Sequence, residues 1–202
     1  EEPSLRPGQA QVPIDVDALA ELIEPGGSLV EAVSGYEHRP QQVEMLRHVG
    51  QALNQHRHAM VEAPTGVGKS LAYLIPAAAF AIANNDRVVI STNTINLQDQ
   101  LINKDIPLLQ QTLGMPLRAA VLKGRVNYLC PRRLAALRRR GPTSAAEMHM
   151  LAKILVWLTT SSSGDRGEIT LRGPAEMNAW RRLSADDEGC TTERCMSQMG
   201  GT

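Results

Sequence analysis

The chain has 202 residues with 21 acidic and 21 basic side chains, and 43% of its residues are apolar. This length suits one substantial domain or two small ones, and a net charge of zero excludes a basic field over the whole surface. No apolar run reaches the length of a membrane span, no secretory signal opens the sequence, and three cysteines favour a reducing cytoplasm over a disulfide framework. Because the chain begins without methionine, we interpret it as part of a longer protein.

The first 129 residues are predicted to comprise a linker with short helices and then an alternation of strands and helices. The composition of residues 1–35 is typical of a linker followed by short helices. From residue 36 to residue 129 the alternation predicts a parallel sheet with helices on its faces, an α/β fold of the RecA-like type. Strands are predicted at 58–62, 87–91 and 118–122, and helices at 39–55, from Lys69 past a kink at Pro76, and at 93–103.

After Leu129 the strand signals become sparse, and residues 130–202 are predicted to form a mostly helical insertion. Helices are expected at 131–140 and 145–158, with a flexible break at 161–164 and one strand at Gly167–Leu171. The two tryptophans, Trp157 and Trp180, are expected to fill the small core of this part.

A glycine-containing loop opens the helix that begins at Lys69, and this pattern predicts a nucleotide phosphate site. Backbone N–H groups of such a loop converge on phosphate oxygens at the positive end of the helix. Lys69 is expected to reach the β- and γ-phosphates, and the Ser70 hydroxyl to bind Mg²⁺, so both are assigned catalytic roles. The predicted ATP-binding residues of the loop are Pro64, Thr65, Gly66, Val67, Gly68, Lys69 and Ser70.

The position where the strict P-loop pattern has its first glycine is occupied here by Ala63. In this respect the loop resembles that of superfamily 2 helicases and translocases. An accidental glycine-rich turn between a strand and a helix is the alternative interpretation.

Two further motifs flank the loop in the order found in those helicases. Upstream, Tyr36, Arg39 and Gln42 resemble the adenine-reading Q motif, in which a carboxamide matches the adenine edge and an aromatic ring stacks on the base. Downstream, Thr92, Thr94 and Gln100 match the T-x-T-x-x-L-x-x-Q motif that contacts single-stranded DNA. Helix capping explains Arg39-Pro40 and Thr94 equally well, and capping and binding are compatible at Thr94.

Three cysteines, Cys130, Cys190 and Cys195, supply soft ligands for a metal centre. Their spacing is compatible with an iron–sulfur cluster, with a structural zinc ion and with three unrelated buried thiols. The phrase Lys-Gly-Arg-x-Asn-Tyr-Leu-Cys, which ends at Cys130, and the phrase Tyr-Glu-x-Arg-Pro-Gln-Gln, which begins at Tyr36, resemble the iron–sulfur superfamily 2 helicases of the XPD and DinG group.

This resemblance implies an ATP-dependent DNA helicase that moves 5′ to 3′ on single-stranded DNA and serves DNA repair or the resolution of unusual structures. It implies ATP, Mg²⁺ and a [4Fe–4S] cluster as cofactors, with Cys130, Cys190 and Cys195 as cluster ligands and a fourth cysteine beyond Thr202. His149 is a weaker candidate for that fourth ligand. The enzyme is expected to be monomeric and not membrane-bound.

Arg132 and Arg133 begin the densest basic cluster, 131–140, and are predicted to contact DNA phosphates, although a solvated charged face is an equal alternative. The acidic motif that would complete ATP hydrolysis does not occur in the sequence, so we expect this chain alone to be inactive. Two other functions stay open: a P-loop ATPase with a structural zinc ion, and a nucleic-acid-binding module with a vestigial ATP site.

Overall fold

The computed structural model describes residues 11–114, 116–186, 189–191 and 193–195, and the chain divides into two compact units at residues 121 and 122. The described residues are mostly helical. In the first unit the α-helices are α1 (Val16–Glu21), α2 (Ser28–Ala32), α3 (Pro40–Asn54), α4 (Lys69–Asn84), α5 (Ile95–Gln100) and α6 (Ile106–Leu113). In the second unit they are α7 (Pro131–Arg140), α8 (Ala145–Trp157) and α9 (Gly173–Leu183).

The core of the first unit is built on α3 and α4, which pack against each other. Val43 and Leu46, two members of the predicted apolar face of α3, are buried. Helix α4 continues through Pro76, which is itself buried, so the helix is not interrupted there. A proline inside a helix removes one backbone hydrogen bond, and packing of α4 on several sides offsets that loss.

Two asparagines hold the segment that precedes α1. The Asn84 side chain at the end of α4 accepts a hydrogen bond from the Val12 N–H at 2.6 Å and donates to the Val12 carbonyl at 3.0 Å. Asn54 at the end of α3 pairs in the same way with Ile14, at 2.8 Å for each bond. Val12, which falls within the predicted linker, and Ile14 are therefore fixed to the ends of the two core helices.

The parallel sheet predicted for residues 36–129 is not formed by the described residues. The segments predicted as strands have no hydrogen-bonded ladder there, and the pairings found outside helices are two isolated bridges, Tyr128 with Asp165 and Leu129 with Ser184. Met60, Val89 and Leu122 are 100%, 88% and 86% exposed. A helix closes its own hydrogen bonds, whereas a strand needs a neighbour, so an apolar run alone does not make a sheet.

The helix predicted at 93–103 begins two residues later and extends ten residues further. Thr94 is the N-cap of α5, and its hydroxyl accepts a hydrogen bond from the Leu97 N–H at 3.3 Å. A π-helical turn, Leu101–Asp105, then joins α5 to α6. The two helices and the turn form one continuous helical segment because the π-turn absorbs an extra residue without breaking the hydrogen bonding.

The second unit packs α7, α8 and α9 around a separate apolar core. Trp157 and Trp180 are buried in it, as predicted, with ring centroids 6.0 Å apart in an edge-to-face arrangement. The Trp180 indole N–H donates to the Val126 carbonyl at 3.0 Å, which satisfies its polar atom.

The strand predicted at Gly167–Leu171 is wrong for the described residues. A 3₁₀ turn, Arg166–Glu168, occupies its start, and the Asp165 side chain caps that turn by accepting from the Gly167 N–H. Within the described part of the chain, no helix is both long enough and apolar enough to cross a membrane.

Candidate nucleotide and DNA sites

The glycine-containing loop leads directly into α4. Gly68 is the N-cap residue of α4 and lies in the left-handed region with φ 79°, and Gly66 has φ 87°. Side chains with a Cβ rarely adopt these angles, so glycine is required by the backbone at both positions. Lys69 and Ser70 are the first two residues of α4, where backbone N–H groups lack intrahelical partners and the helix dipole favours an anion.

The Lys69 ammonium group folds back over the loop. Its Nζ donates to the Ala63 carbonyl at 3.0 Å and to the Pro64 carbonyl at 2.7 Å. The positive charge therefore lies at the loop and next to the free N–H groups of α4. Phosphate oxygens are stronger acceptors than peptide carbonyls, so a bound phosphate group can take over these hydrogen bonds from the loop.

Gln42 connects the predicted adenine motif to the loop. Its side chain is 1% exposed, its Nε2 donates to the Gly68 carbonyl at 2.9 Å, and its Oε1 accepts from the Tyr36 hydroxyl at 2.6 Å. A carboxamide has two N–H donors and two acceptor lone pairs, so one of each remains beyond these bonds. Contact of Gln42 with adenine stays a prediction, but its bond to the loop is a role that the sequence did not indicate.

Tyr36 and Arg39 lie beside Gln42. Burial raises the pKa of Tyr36, and the nearby Arg39 charge opposes that rise. The Arg39 guanidinium donates to Glu37 at 2.7 Å on the surface, where such a pair adds little stability. The structure thus places all three residues of the predicted Q motif around one end of α3.

Of the predicted DNA-contacting residues, Thr92 and Thr94 lie in the turn before α5 and Gln100 is the last residue of α5. The Thr92 hydroxyl donates to the Thr94 carbonyl at 3.1 Å, so both threonines also have local roles. The Gln100 Nε2 donates to the Asp105 carboxylate at 3.0 Å. Asp105 is 5% exposed and was missed by the sequence analysis, since nothing in the local sequence distinguishes it from an exposed acid.

Arg132 and Arg133, also predicted to bind DNA, contact the protein itself. Arg132 Nη2 donates to the Gly189 carbonyl at 3.2 Å, and Arg133 Nη1 donates to the Ser184 carbonyl at 2.8 Å. Arg133 Nη2 also pairs with the Asp186 carboxylate. Both guanidinium groups therefore tie the first turn of α7 to the segment after α9.

The three cysteines are free thiols in the structure. Cys130 is 1% exposed at the N-terminus of α7, and Cys190 and Cys195 are half-buried. The Arg125 guanidinium donates to the Cys190 carbonyl at 2.9 Å, next to the Arg132 contact with Gly189. Among the described residues, however, no three histidine, cysteine, aspartate or glutamate side chains are grouped closely enough to hold a metal ion.

A family model and individual relatives both assign this chain to one family of proteins. Residues 39–151 match the DEAD/DEAH box helicase family. The chain is 37% identical over 173 residues to the 3′-5′ exonuclease DinG of Bacillus subtilis, a match that covers 86% of this chain and 18% of that protein. It is 36% identical over 148 residues to the ATP-dependent DNA helicase YoaA of Haemophilus influenzae, covering 73% and 22%.

A third relative, the ATP-dependent DNA helicase DinG of Salmonella typhimurium, is 34% identical over 187 residues, covering 83% of this chain and 26% of that protein. The chain thus spans about a fifth to a quarter of the length of these relatives. The family match includes Gln42, the loop from Pro64 to Ser70 and the segment around Thr94, all of which were described above. The chain belongs to the DEAD/DEAH box helicase family and is of the DinG type.

Proposed function

We propose that this chain forms the nucleotide-binding part of an ATP-dependent DNA helicase. One observation carries the proposal: two left-handed glycines place the Lys69 ammonium group and the free N–H groups of α4 at one point. This arrangement suits the phosphates of a nucleoside triphosphate. The names of the YoaA and DinG relatives support ATP and DNA as the two ligands.

In this proposal Lys69 neutralises charge on the β- and γ-phosphates, and the Ser70 hydroxyl binds the Mg²⁺ that accompanies ATP. The loop residues, listed in sequence order, are Pro64, Thr65, Gly66, Val67, Gly68, Lys69 and Ser70. Tyr36, Arg39 and Gln42 recognise adenine. Because the acidic motif for hydrolysis is not part of this sequence, we expect ATP turnover only in a longer polypeptide.

The DNA ligand is proposed to be a single strand, contacted by Thr92, Thr94 and Gln100 through its phosphates. Hydroxyl and amide groups suit such contacts because they bind phosphate without reading the sequence. By resemblance to its group, the enzyme would move 5′ to 3′, act as a monomer in the cytoplasm and serve DNA repair or the resolution of unusual structures. Its RecA-like domain would begin near residue 36 and give way to a helical insertion near residue 130.

The proposal of a [4Fe–4S] cluster rests on the cysteine ligands that the chain supplies. The described cysteines are not already grouped around a metal site. Cys130, Cys190 and Cys195 supply three soft thiolate ligands, and a bound cluster would cross-link the segments that carry them. Cysteine sites often assemble only with their metal, so separated thiols are compatible with such a centre. A single zinc ion on the same thiols would make the protein a P-loop ATPase with a structural metal instead.

The nucleotide site is tested by Lys69→Ala in the full-length polypeptide. We expect the affinity for a fluorescent ATP analogue to fall at least about tenfold, because a charged hydrogen bond to phosphate is lost. Lys104→Ala removes an exposed lysine of the π-turn and is the matched control. No nucleotide binding by the unsubstituted protein, together with a DNA affinity that Lys69→Ala leaves unchanged, would favour a nucleic-acid-binding module with a vestigial ATP site.

The metal is tested by iron, sulfide and zinc content in anaerobically purified protein, together with a visible absorption spectrum. About four irons and four sulfides per chain would support the cluster. One zinc ion without iron would contradict it and favour the zinc ATPase.

A further inference from the structure

The π-helical turn after α5 ends at a buried acidic residue that neither the nucleotide site nor the predicted DNA contacts explain. Asp105 is 5% exposed, and Leu101 and Leu109, on either side of it in the same helical segment, are buried in the core of the first unit. A buried carboxylate is costly unless it is well paired, so an apolar residue would serve packing better here.

Helix capping does not account for Asp105. It stands at the N-cap position before α6, but its backbone is helical and its side chain makes no capping hydrogen bond. The partner of its carboxylate is instead the Gln100 side chain, whose Nε2 donates to Asp105 Oδ2 at 3.0 Å.

The π-helical turn brings these two residues together. In an α-helix with 3.6 residues per turn, side chains five positions apart point about 140° away from each other. The turn Leu101–Asp105 has i to i+5 bonding, and the Ile106 N–H donates to the Leu101 carbonyl. This wider turn brings position 105 back over position 100, so the extra residue creates the contact.

The π-helical turn that carries Asp105 packs against α4, the helix that follows the nucleotide loop.

We propose that Asp105 is a positioning residue that fixes the Gln100 carboxamide for contact with single-stranded DNA. The proposal deepens the helicase function proposed above and rests on it. A hydrogen bond to an ionised carboxylate is stronger than one between neutral groups, so it can hold one orientation of Gln100.

The test is a set of substitutions in the full-length polypeptide, with single-stranded oligonucleotide affinity measured by fluorescence anisotropy. Asp105→Leu should keep or raise the thermal midpoint, because it replaces a buried charge by an apolar side chain. It should nevertheless weaken DNA binding about fivefold to tenfold, since Gln100 loses its partner. Asp105→Asn, which can still accept from Gln100, should bind DNA within about twofold of the wild type.

A double-mutant cycle separates positioning from a general structural role. In a Gln100→Ala background, Asp105→Leu should cause no further loss of DNA affinity, because Asp105 acts through Gln100. Asn103→Ala, an exposed change on the same turn, should leave DNA affinity unchanged.

Two results would overturn the inference: unchanged DNA affinity in Asp105→Leu, or additive losses in the cycle. Failure of the wild type to bind both ATP and DNA would instead contradict the proposed function. If Asp105→Leu does not fold, a loss of DNA affinity in Asp105→Asn equal to that in Gln100→Ala would also overturn the inference, because the retained hydrogen bond would then have no effect.

Discussion

The Gln42 carboxamide lies directly over Gly68 of the nucleotide loop. Its Nε2 donates to the Gly68 carbonyl at 2.9 Å, and a Cβ placed on Gly68 would lie 2.3 Å from that nitrogen. The residue therefore needs to be glycine for two independent reasons, its left-handed backbone and its contact with Gln42. A side chain 26 positions upstream thus sets the shape of the phosphate-binding loop.

The first prediction compares alanine at the two loop glycines. Gly66→Ala meets nothing within 4 Å and should cost about 1–2 kcal/mol of unfolding free energy from backbone strain alone. Gly68→Ala should cost about 3 kcal/mol or more, because the clash with Gln42 adds to the strain. Urea denaturation followed by circular dichroism measures both. Equal losses of unfolding free energy in the two variants would show that the Gln42 side chain moves away from position 68 at little cost.

The second prediction concerns the pair of bonds made by Gln42. Gln42→Leu leaves the Gly68 carbonyl without its donor and should lower the free energy of unfolding by about 2–3 kcal/mol. Tyr36→Phe removes only the hydroxyl bond and should cost about 1 kcal/mol. Thermal and urea unfolding, with affinity for an ATP analogue, provide the comparison. If Tyr36→Phe is the more damaging change, the bond to the loop is not the main role of Gln42.

The third prediction is a pH dependence of the second unit. Hydrogen bonds from Thr143 and Arg140 lower the pKa of Glu147 from 4.5 to about 2. Because the folded pKa is lower than the unfolded value, this stabilisation is present above pH 4.5 and is lost as the pH falls toward 2. Glu147→Gln should therefore lower the thermal midpoint at pH 7 and have little effect near pH 2. Equal effects at both pH values would contradict the pKa assignment.

The fourth prediction separates structural from exposed arginines of α7. Arg133→Ala should lower the free energy of unfolding by about 2–3 kcal/mol, because Ser184 and Asp186 lose a charged partner. Arg139, which is exposed, is the matched control and should change stability by less than about 0.5 kcal/mol. If α7 faces DNA, Arg139→Ala should instead reduce the slope of log DNA affinity against log salt concentration by about one. A loss of stability in Arg139→Ala, together with a smaller salt dependence in Arg133→Ala, would instead support DNA binding by Arg133.

Sequence patterns predicted the helices well because a helix satisfies its own backbone and carries its signals locally. Helix α7 occupies the predicted range, and α3 begins one residue inside it, at Pro40, a residue suited to a first turn. Helix α9 was not predicted, although Pro174 in its first turn was a local signal for it.

Contacts that depend on the tertiary structure were beyond the sequence. Nothing local indicates that Gln42 donates to Gly68, that Asn84 holds residue 12, or that a π-turn folds Asp105 onto Gln100. Among the residues that the structure describes, the predicted strands are not formed, because a strand needs a partner from elsewhere in the chain. The phosphate-binding loop could be predicted from the sequence because glycine permits the left-handed backbone angles of Gly66 and Gly68, and because Lys69 carries its own positive charge.

The exposed Met60, Val89 and Leu122 have a practical consequence for making this region in the laboratory. Extended segments with exposed apolar side chains can accept an added strand, either from a partner protein or from another copy of the chain. We therefore expect a polypeptide of this span to self-associate at high concentration, and size-exclusion chromatography would detect the resulting larger species.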